Sequence, residues 1–145
     1  MAAQEQVPRS SHSFACHTPA GVDDVWDALT SACRTPAYLY GLGLHSEWHV
    51  DAAIRADYDS SPTLAGQVVC CRRGERLSYL LQAATGDPAT YLTWLLRPCP
   101  GGTTITLVVD EPDAPDTSDE AEDAWLPVLD ALQHHLRHGA APGAG

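Results

Sequence analysis

The chain has 145 residues, with eight arginines, no lysine, nineteen acidic residues and a formal net charge of −11 at pH 7. Such a surface repels phosphate backbones and anionic headgroups, which argues against nucleic-acid or membrane-surface binding. A composition that is 44% hydrophobic, with four Trp and five Tyr, is globular. A chain this long buries roughly 70% of its unfolded surface, so we expect one domain over residues 11–138 between flexible tails at 1–10 and 139–145.

No apolar run approaches the roughly 20 residues that span a bilayer, and the first ten residues lack the apolar core of a secretory signal. The five cysteines include no C-x-x-C pair. Reduced thiols and a cytoplasmic location are expected.

Residues 13–17 (SFACH) alternate weakly and predict an opening strand. Residues 18–30 (TPAGVDDVWDALT) then predict a helix. Thr18 can cap it, Pro19 suits its first turn, and Asp23 and Asp24 favour the positive end of its dipole. Val22, Val25, Trp26 and Leu29 fall at i, i+3, i+4 and i+7, one apolar face. A second short helix is expected over residues 36–42, stopped by Gly43.

From His45 to Asp110 the pattern changes to short extended segments between turn residues. Strands are expected at 45–50, 52–58, 65–72, 76–84, 89–97 and 103–110, with turns at 59–62, 73–75, 86–88 and 98–102. Three faces alternate cleanly: Leu77, Tyr79, Leu81 and Ala83; Leu92, Trp94 and Leu96; Ile105, Leu107 and Val109. Each needs a cover. Residues 117–138 supply it. Thr117 and Glu120 have capping-box spacing, and Ala121, Trp125, Val128, Leu129, Leu132 and Leu136 form one apolar stripe. Pro127 predicts a kink, or a helix that starts near Trp125. Helices packed on one face of an antiparallel sheet make the fold class α+β.

Several clusters of reactive residue types have plain explanations. Cys70 and Cys71 lie on one strand, so they point to opposite faces and read as packing residues rather than as a metal or redox pair. Arg72, Arg73 and Arg76 flank a hairpin turn and read as solvated charges, with an anion clamp as the alternative. His45, Glu47 and His49 could form an iron triad, but along a strand the two histidines stand about 13 Å apart. A polar strand face with Trp48 inward is the simpler reading. His134 and His135 sit near the negative end of the last helix. The eight carboxylates between Asp110 and Asp123 lack the calcium-loop pattern and read as a solvated loop and helix start. No metal and no cofactor are expected.

Four stretches carry a family resemblance: residues 19–30 (PAGVDDVWDALT), Gly66 to Val68 leading to Arg76 to Tyr79, residues 102–107 (GTTITL) and residues 125–132 (WLPVLDAL). In this order and spacing the chain resembles the helix-grip fold of the START-like (SRPBCC) superfamily, in the branch of the heat-shock-protein ATPase activator homologue. The resemblance implies a curved antiparallel sheet wrapped around a long C-terminal helix, with two short helices after the first strand. Residues 38–44 (YLYGLGL) and 50–59 depart from the tryptophan-rich segment and Gly-Gly turn usual in this branch, so no pocket residue is carried over there. The superfamily shares a cavity between sheet and helix rather than a catalytic set. Its members bind lipids, hormones or polyketides, some cyclise polyketides, and some assist other proteins.

The aromatic residues Trp48, Tyr58, Tyr79, Tyr91, Trp94 and Trp125 are the candidate ligand-binding set, because large rings with polar tips suit a mostly apolar site. The expected function is binding or sequestering a small hydrophobic molecule of aromatic, lipid or polyketide-like character, in a monomer or homodimer. One alternative is a polyketide cyclase or dehydratase using the same cavity. Its acid and base would come from His17, His45, Glu47, His49, Tyr58, Tyr79 or Tyr91. The other is a chaperone-associated module with a protein partner.

Overall fold

The computed structural model describes residues 10–58, 61–82, 89–111 and 118–139. Strand β1 (Ser10–Thr18) leads into helix α1 (Val22–Thr30) and a single 3₁₀ turn at Thr35–Ala37. Strands β2 (Leu42–Ser46), β3 (Ala53–Tyr58), β4 (Ser61–Arg72), β5 (Arg76–Gln82), β6 (Thr90–Cys99) and β7 (Gly102–Glu111) follow, and helix α2 (Ser118–Gly139) ends the fold. The expected turns at 59–60 and 86–88, Ala83, Thr117 of the capping pair and the tails at 1–9 and 140–145 lie outside the described residues. Ser10 and Gly139, expected in the tails, belong to β1 and α2.

All seven strands form one antiparallel sheet in the order β1-β7-β6-β5-β4-β3-β2. Successive strands from β2 to β7 are neighbours, while β1 pairs with β7 at the far edge. Register shifts at Ala56/Asp57 and between Val68 and Cys70 insert bulges on the β2 side, which bend and twist a sheet. Gly66 sits between them. A side chain there would begin 1.9 Å from the Leu80 carbonyl oxygen, so only glycine lets β4 lie this close to β5.

The inner face carries the expected alternation. Leu77, Tyr79 and Leu81, then Leu92, Trp94 and Leu96, then Ile105, Leu107 and Val109 are all buried. Val25, Trp26, Ala28 and Leu29 of α1 and Val128, Leu129, Leu132 and Leu136 of α2 close the core over them. A fully buried Leu or Val contributes roughly 1.5–3 kcal/mol relative to exposure, so these stripes dominate the stability of the fold.

Four expectations about local structure are corrected. Helix α1 starts at Val22 with Gly21 as its N-cap, because Thr18 stays in the β1 ladder opposite Thr103 and takes a hydrogen bond from the Ala20 amide. The helix expected at 36–42 is one 3₁₀ turn. Tyr40 and Gly41 have left-handed backbones (φ +53° and +86°), and the Thr35 hydroxyl instead holds both the Leu42 carbonyl and the Leu44 amide. The strand expected at 45–50 is β2 at 42–46, since Trp48 (φ +55°) and Asp51 (φ +71°) turn the chain out of the ladder. Lastly, α2 runs from Ser118 through Pro127, rather than beginning near Trp125.

A polar cluster joins the helices. Arg34 donates from Nη1 to Asp24 at 3.0 Å and to Asp27 at 2.7 Å, and from Nε to Nε2 of His135 at 3.0 Å. Burial works against the Arg34 charge, but the hydrogen bonds and negative charge of Asp27 and Asp24 raise its pKa above the ordinary value.

Candidate ligand-binding site

The centre of the grip is filled. The Trp94 indole N–H donates to the Tyr79 hydroxyl at 3.1 Å, and both residues are fully buried. Tyr38 packs edge-on against Trp94 at 5.9 Å between ring centroids, and its hydroxyl donates to the Ala28 carbonyl. Trp48 stands edge-on to Tyr79, also at 5.9 Å. Its amide donates to Ser46 Oγ at 3.1 Å, and its carbonyl accepts from the Cys71 thiol at 3.1 Å. These contacts hold Trp48 in a left-handed backbone that costs about 1–3 kcal/mol. Cys71 therefore has a structural partner. Cys70, opposite Ser78, points to the other face, and all five cysteines are free.

Space remains at one end of this packed floor. A cavity of about 260 Å³ is lined by Leu39, Tyr40, Leu42, Leu64, Leu81, Gln82, Thr90, Leu92 and Trp125. Leu81 is two residues beyond Tyr79, and Leu92 two residues before Trp94, so the cavity floor continues the inner sheet face. Trp125 on α2 forms the opposite wall, partly buried against the core. Depressions of about 490 Å³ elsewhere are larger but differently placed. One lies between α2 and the 3₁₀ turn, lined by Ala37, Asp130, Gln133, His134, His135 and Arg137. A groove between β1 and α2, lined by Ala15, Cys16, Leu126, Pro127, Leu129, Asp130 and Gln133, is shallower in character because Asp130 and Gln133 open it to the helix surface, whereas the cavity beside Trp125 continues the inner sheet face.

Tyr40 closes this site, and the sequence reading passed over it. Its hydroxyl donates to the Ala124 carbonyl of α2. The neighbouring Asp123 carbonyl has no helical donor, because Pro127 lacks an N–H, and this weakens the turn. A tyrosine contact there pins the weak turn to the segment before β2. Gly41 has a left-handed backbone (φ +86°) that favours glycine, and the Tyr58 ring covers it, 2.8 Å from where a Cβ would stand. The signal in the sequence was Tyr40-Gly41 itself, within the stretch that departs from the family pattern.

The six candidate aromatics thus separate. Tyr79 and Trp94 form the packed centre beside the cavity and Trp48 buttresses it, so of the six only Trp125 lines the cavity. Tyr58 is 55% exposed and covers Gly41. Tyr91 is opposite Leu80 and Asp110, on the outer sheet face.

The acid–base candidates lie elsewhere. His17, His45, Glu47 and His49 are exposed. His45 Nε2 faces Asp57 at 3.3 Å, and His49 Nδ1 is 3.0 Å from the Val50 carbonyl. None of the four lines the cavity. Burial pushes the Tyr79 hydroxyl pKa well up, though the Trp94 hydrogen bond opposes this, and burial likewise raises Tyr38. Among the described residues no group of three or more His, Cys, Asp or Glu is arranged to hold a metal, and no helix is long and apolar enough to cross a membrane.

The family model described as "Activator of Hsp90 ATPase homolog 1-like protein" matches residues 19–137. The chain belongs to this family, within the SRPBCC superfamily. No curated protein matches it. Its architecture is similar to that of DynU16, a protein of the dynemicin biosynthetic locus (TM-score 0.73, 24% identity, 91% of this chain and 49% of that one). The chain thus spans about half the length of DynU16. It is also similar to CalU16 from Micromonospora echinospora (TM-score 0.70, 18% identity, 91% and 79%). A third similar structure is Ara h 8.0201 (TM-score 0.66, 12% identity, 90% and 99%). These likenesses establish the helix-grip fold.

Proposed function

We propose that residues 11–138 act as one cytoplasmic domain that binds and sequesters a small, largely apolar molecule in the cavity beside Trp125. The observation that carries this reading is the cavity's make-up. Five leucines and Trp125 supply apolar walls, while Tyr40, Gln82 and Thr90 offer a few polar atoms at the rim. That balance is the usual one in small-molecule sites. A volume of about 260 Å³ lies just under the ~300–1,000 Å³ of drug-sized pockets, so the ligand is small and compact. An aromatic or polyketide-like molecule fits better than a long acyl chain, because Tyr79 and Trp94 fill the space along the helix where a chain would run. The likeness to DynU16, from a biosynthetic locus, favours a biosynthetic intermediate or product over a structural lipid.

Binding without turnover is the better-supported form of this reading. A cyclase or dehydratase needs an acid or base within hydrogen-bond reach of its substrate, and among the described residues the only ionisable one lining the cavity is Tyr40. Its hydroxyl is already committed to Ala124.

Native mass spectrometry after gentle purification tests the proposal. The expected result is a bound small molecule in about one-to-one ratio that denaturation releases. Recovery of a stoichiometric protein partner with no small molecule would overturn it in favour of an interaction module.

A further inference from the structure

We propose that the outer sheet face at the β4–β5 turn is a binding site for a small multivalent oxyanion, its charge carried by phosphate or carboxylate groups. The chain has eight cationic side chains against nineteen acidic ones. Four of the eight (Arg72, Arg73, Arg76 and Arg97) gather at this one corner. Arg72 and Arg76 are direct cross-strand partners, so their Cβ atoms stand about 5 Å apart on one face. Arg76 is also opposite Leu95. Arg97, two residues further along β6, therefore lies diagonally, about 7–8 Å from Arg76.

The corner is concave. Arg72, Glu75, Arg76, Leu95, Leu96, Arg97, Thr104 and Thr106 line a depression of about 490 Å³. Thr104 is opposite Arg97 and Thr106 opposite Leu95, so two hydroxyls flank the guanidinium groups on the same face. The one carboxylate present is Glu75, 3.6 Å from Arg72, in a pair whose side chains are 68% and 66% exposed. Among the described residues no carboxylate pairs with Arg76 or Arg97.

Like charges placed directly across a strand pair destabilise it. The unliganded corner therefore carries a repulsion that a bound anion relieves, and guanidinium forks match carboxylate and phosphate oxygens in pairs. The strongly negative remainder of the surface repels an extended polyanion such as nucleic acid. A small anion can dock on the corner alone.

Thermal unfolding at low ionic strength, with pyrophosphate or citrate added, tests the proposal. KCl at matched ionic strength separates binding from screening. The wild-type protein gains roughly 3–6 °C at an anion concentration ten times Kd with at least one of the two anions and not with KCl, and the effective anion shows whether phosphate or carboxylate is the preferred chemistry. Arg76→Gln has two expected effects. It unfolds at a higher temperature than wild type without anion, because the repulsion is gone, and it loses the response to anion. Arg97→Gln, measured by calorimetric titration, binds at least tenfold more weakly. Arg55→Gln, whose side chain pairs with Asp57 on β3, responds as wild type. An equal response to KCl, unchanged binding in Arg76→Gln and Arg97→Gln, or preference for an acidic peptide over both small anions overturns the proposal.

Discussion

Arg34 and His135 meet through a 3.0 Å hydrogen bond from Nε of the guanidinium to Nε2 of the imidazole. A guanidinium has only donors, so Nε2 must accept and the ring is neutral, with its proton on Nδ1. Burial lowers the His135 pKa first and the Arg34 charge adds to this, while Asp24 opposes them. A histidine depressed on folding contributes stability that is complete above its unfolded pKa of about 6.5. That contribution is lost as pH falls through the lower folded value. Melting temperatures between pH 7.5 and 5 should fall more steeply for wild type than for His135→Gln. Parallel curves would show that the Arg34 contact does not set the ring's protonation.

The bond between Trp94 and Tyr79 predicts a cost without a change in shape. In Tyr79→Phe the ring volume is kept, but a fully buried indole N–H loses its acceptor. Leaving such a donor unpaired costs about 1–3 kcal/mol. Urea unfolding should show that loss with an unchanged slope. A change below about 0.3 kcal/mol would mean the indole finds another acceptor.

The thiols should react in a set order. Burial pushes the Cys16 pKa up to about 11, whereas Cys33 is exposed. At pH 8 Cys16 holds roughly 100-fold less thiolate than an ordinary thiol. Alkylation followed by peptide mass mapping should therefore find Cys33 modified early and Cys16 late. Early loss of Cys16 would mean that the groove it lines with Leu126 and Leu129, between β1 and α2, opens in solution.

Trp125 should matter more for binding than for stability. A fully buried Trp→Ala change costs about 3–5 kcal/mol, but Trp125 borders open space, so about 1–2 kcal/mol is expected. Trp125→Ala should stay folded by circular dichroism while its ligand affinity falls at least tenfold. If stability and binding are both unchanged, Trp125 does not wall the cavity.

The strands and α2 were legible because each has one buried face, which imposes a period of two or of 3.6 on its apolar residues. Leu77, Tyr79 and Leu81, or Val128, Leu132 and Leu136, announce themselves in this way. The segment between α1 and β3 was not legible. Tyr40 and Trp48 adopt left-handed backbones without being glycine, and local propensity gives no sign of that. Distant contacts hold them there: Tyr40 reaches Ala124, and Cys71 reaches the Trp48 carbonyl. The aromatic set was legible as a class but not by role. Tyr58 shares the spacing of Ile54 and Ala56 on β3, yet the Ala56/Asp57 shift and the strand's end leave it exposed. Leu39, Leu42 and Leu64 line the cavity, and nothing separates them in sequence from ordinary core leucines.

The claim that the cavity beside Trp125 holds a ligand is tested most directly with an uncharged aromatic probe. N-phenyl-1-naphthylamine fluoresces on entering apolar surroundings and offers no charge to the arginine corner. It should be titrated into wild type and into Leu64→Trp, a substitution that fills the cavity from β4. Saturable one-to-one binding to wild type, abolished in a folded Leu64→Trp protein, is the predicted result. Equal binding to the two proteins, or none to wild type, would contradict it.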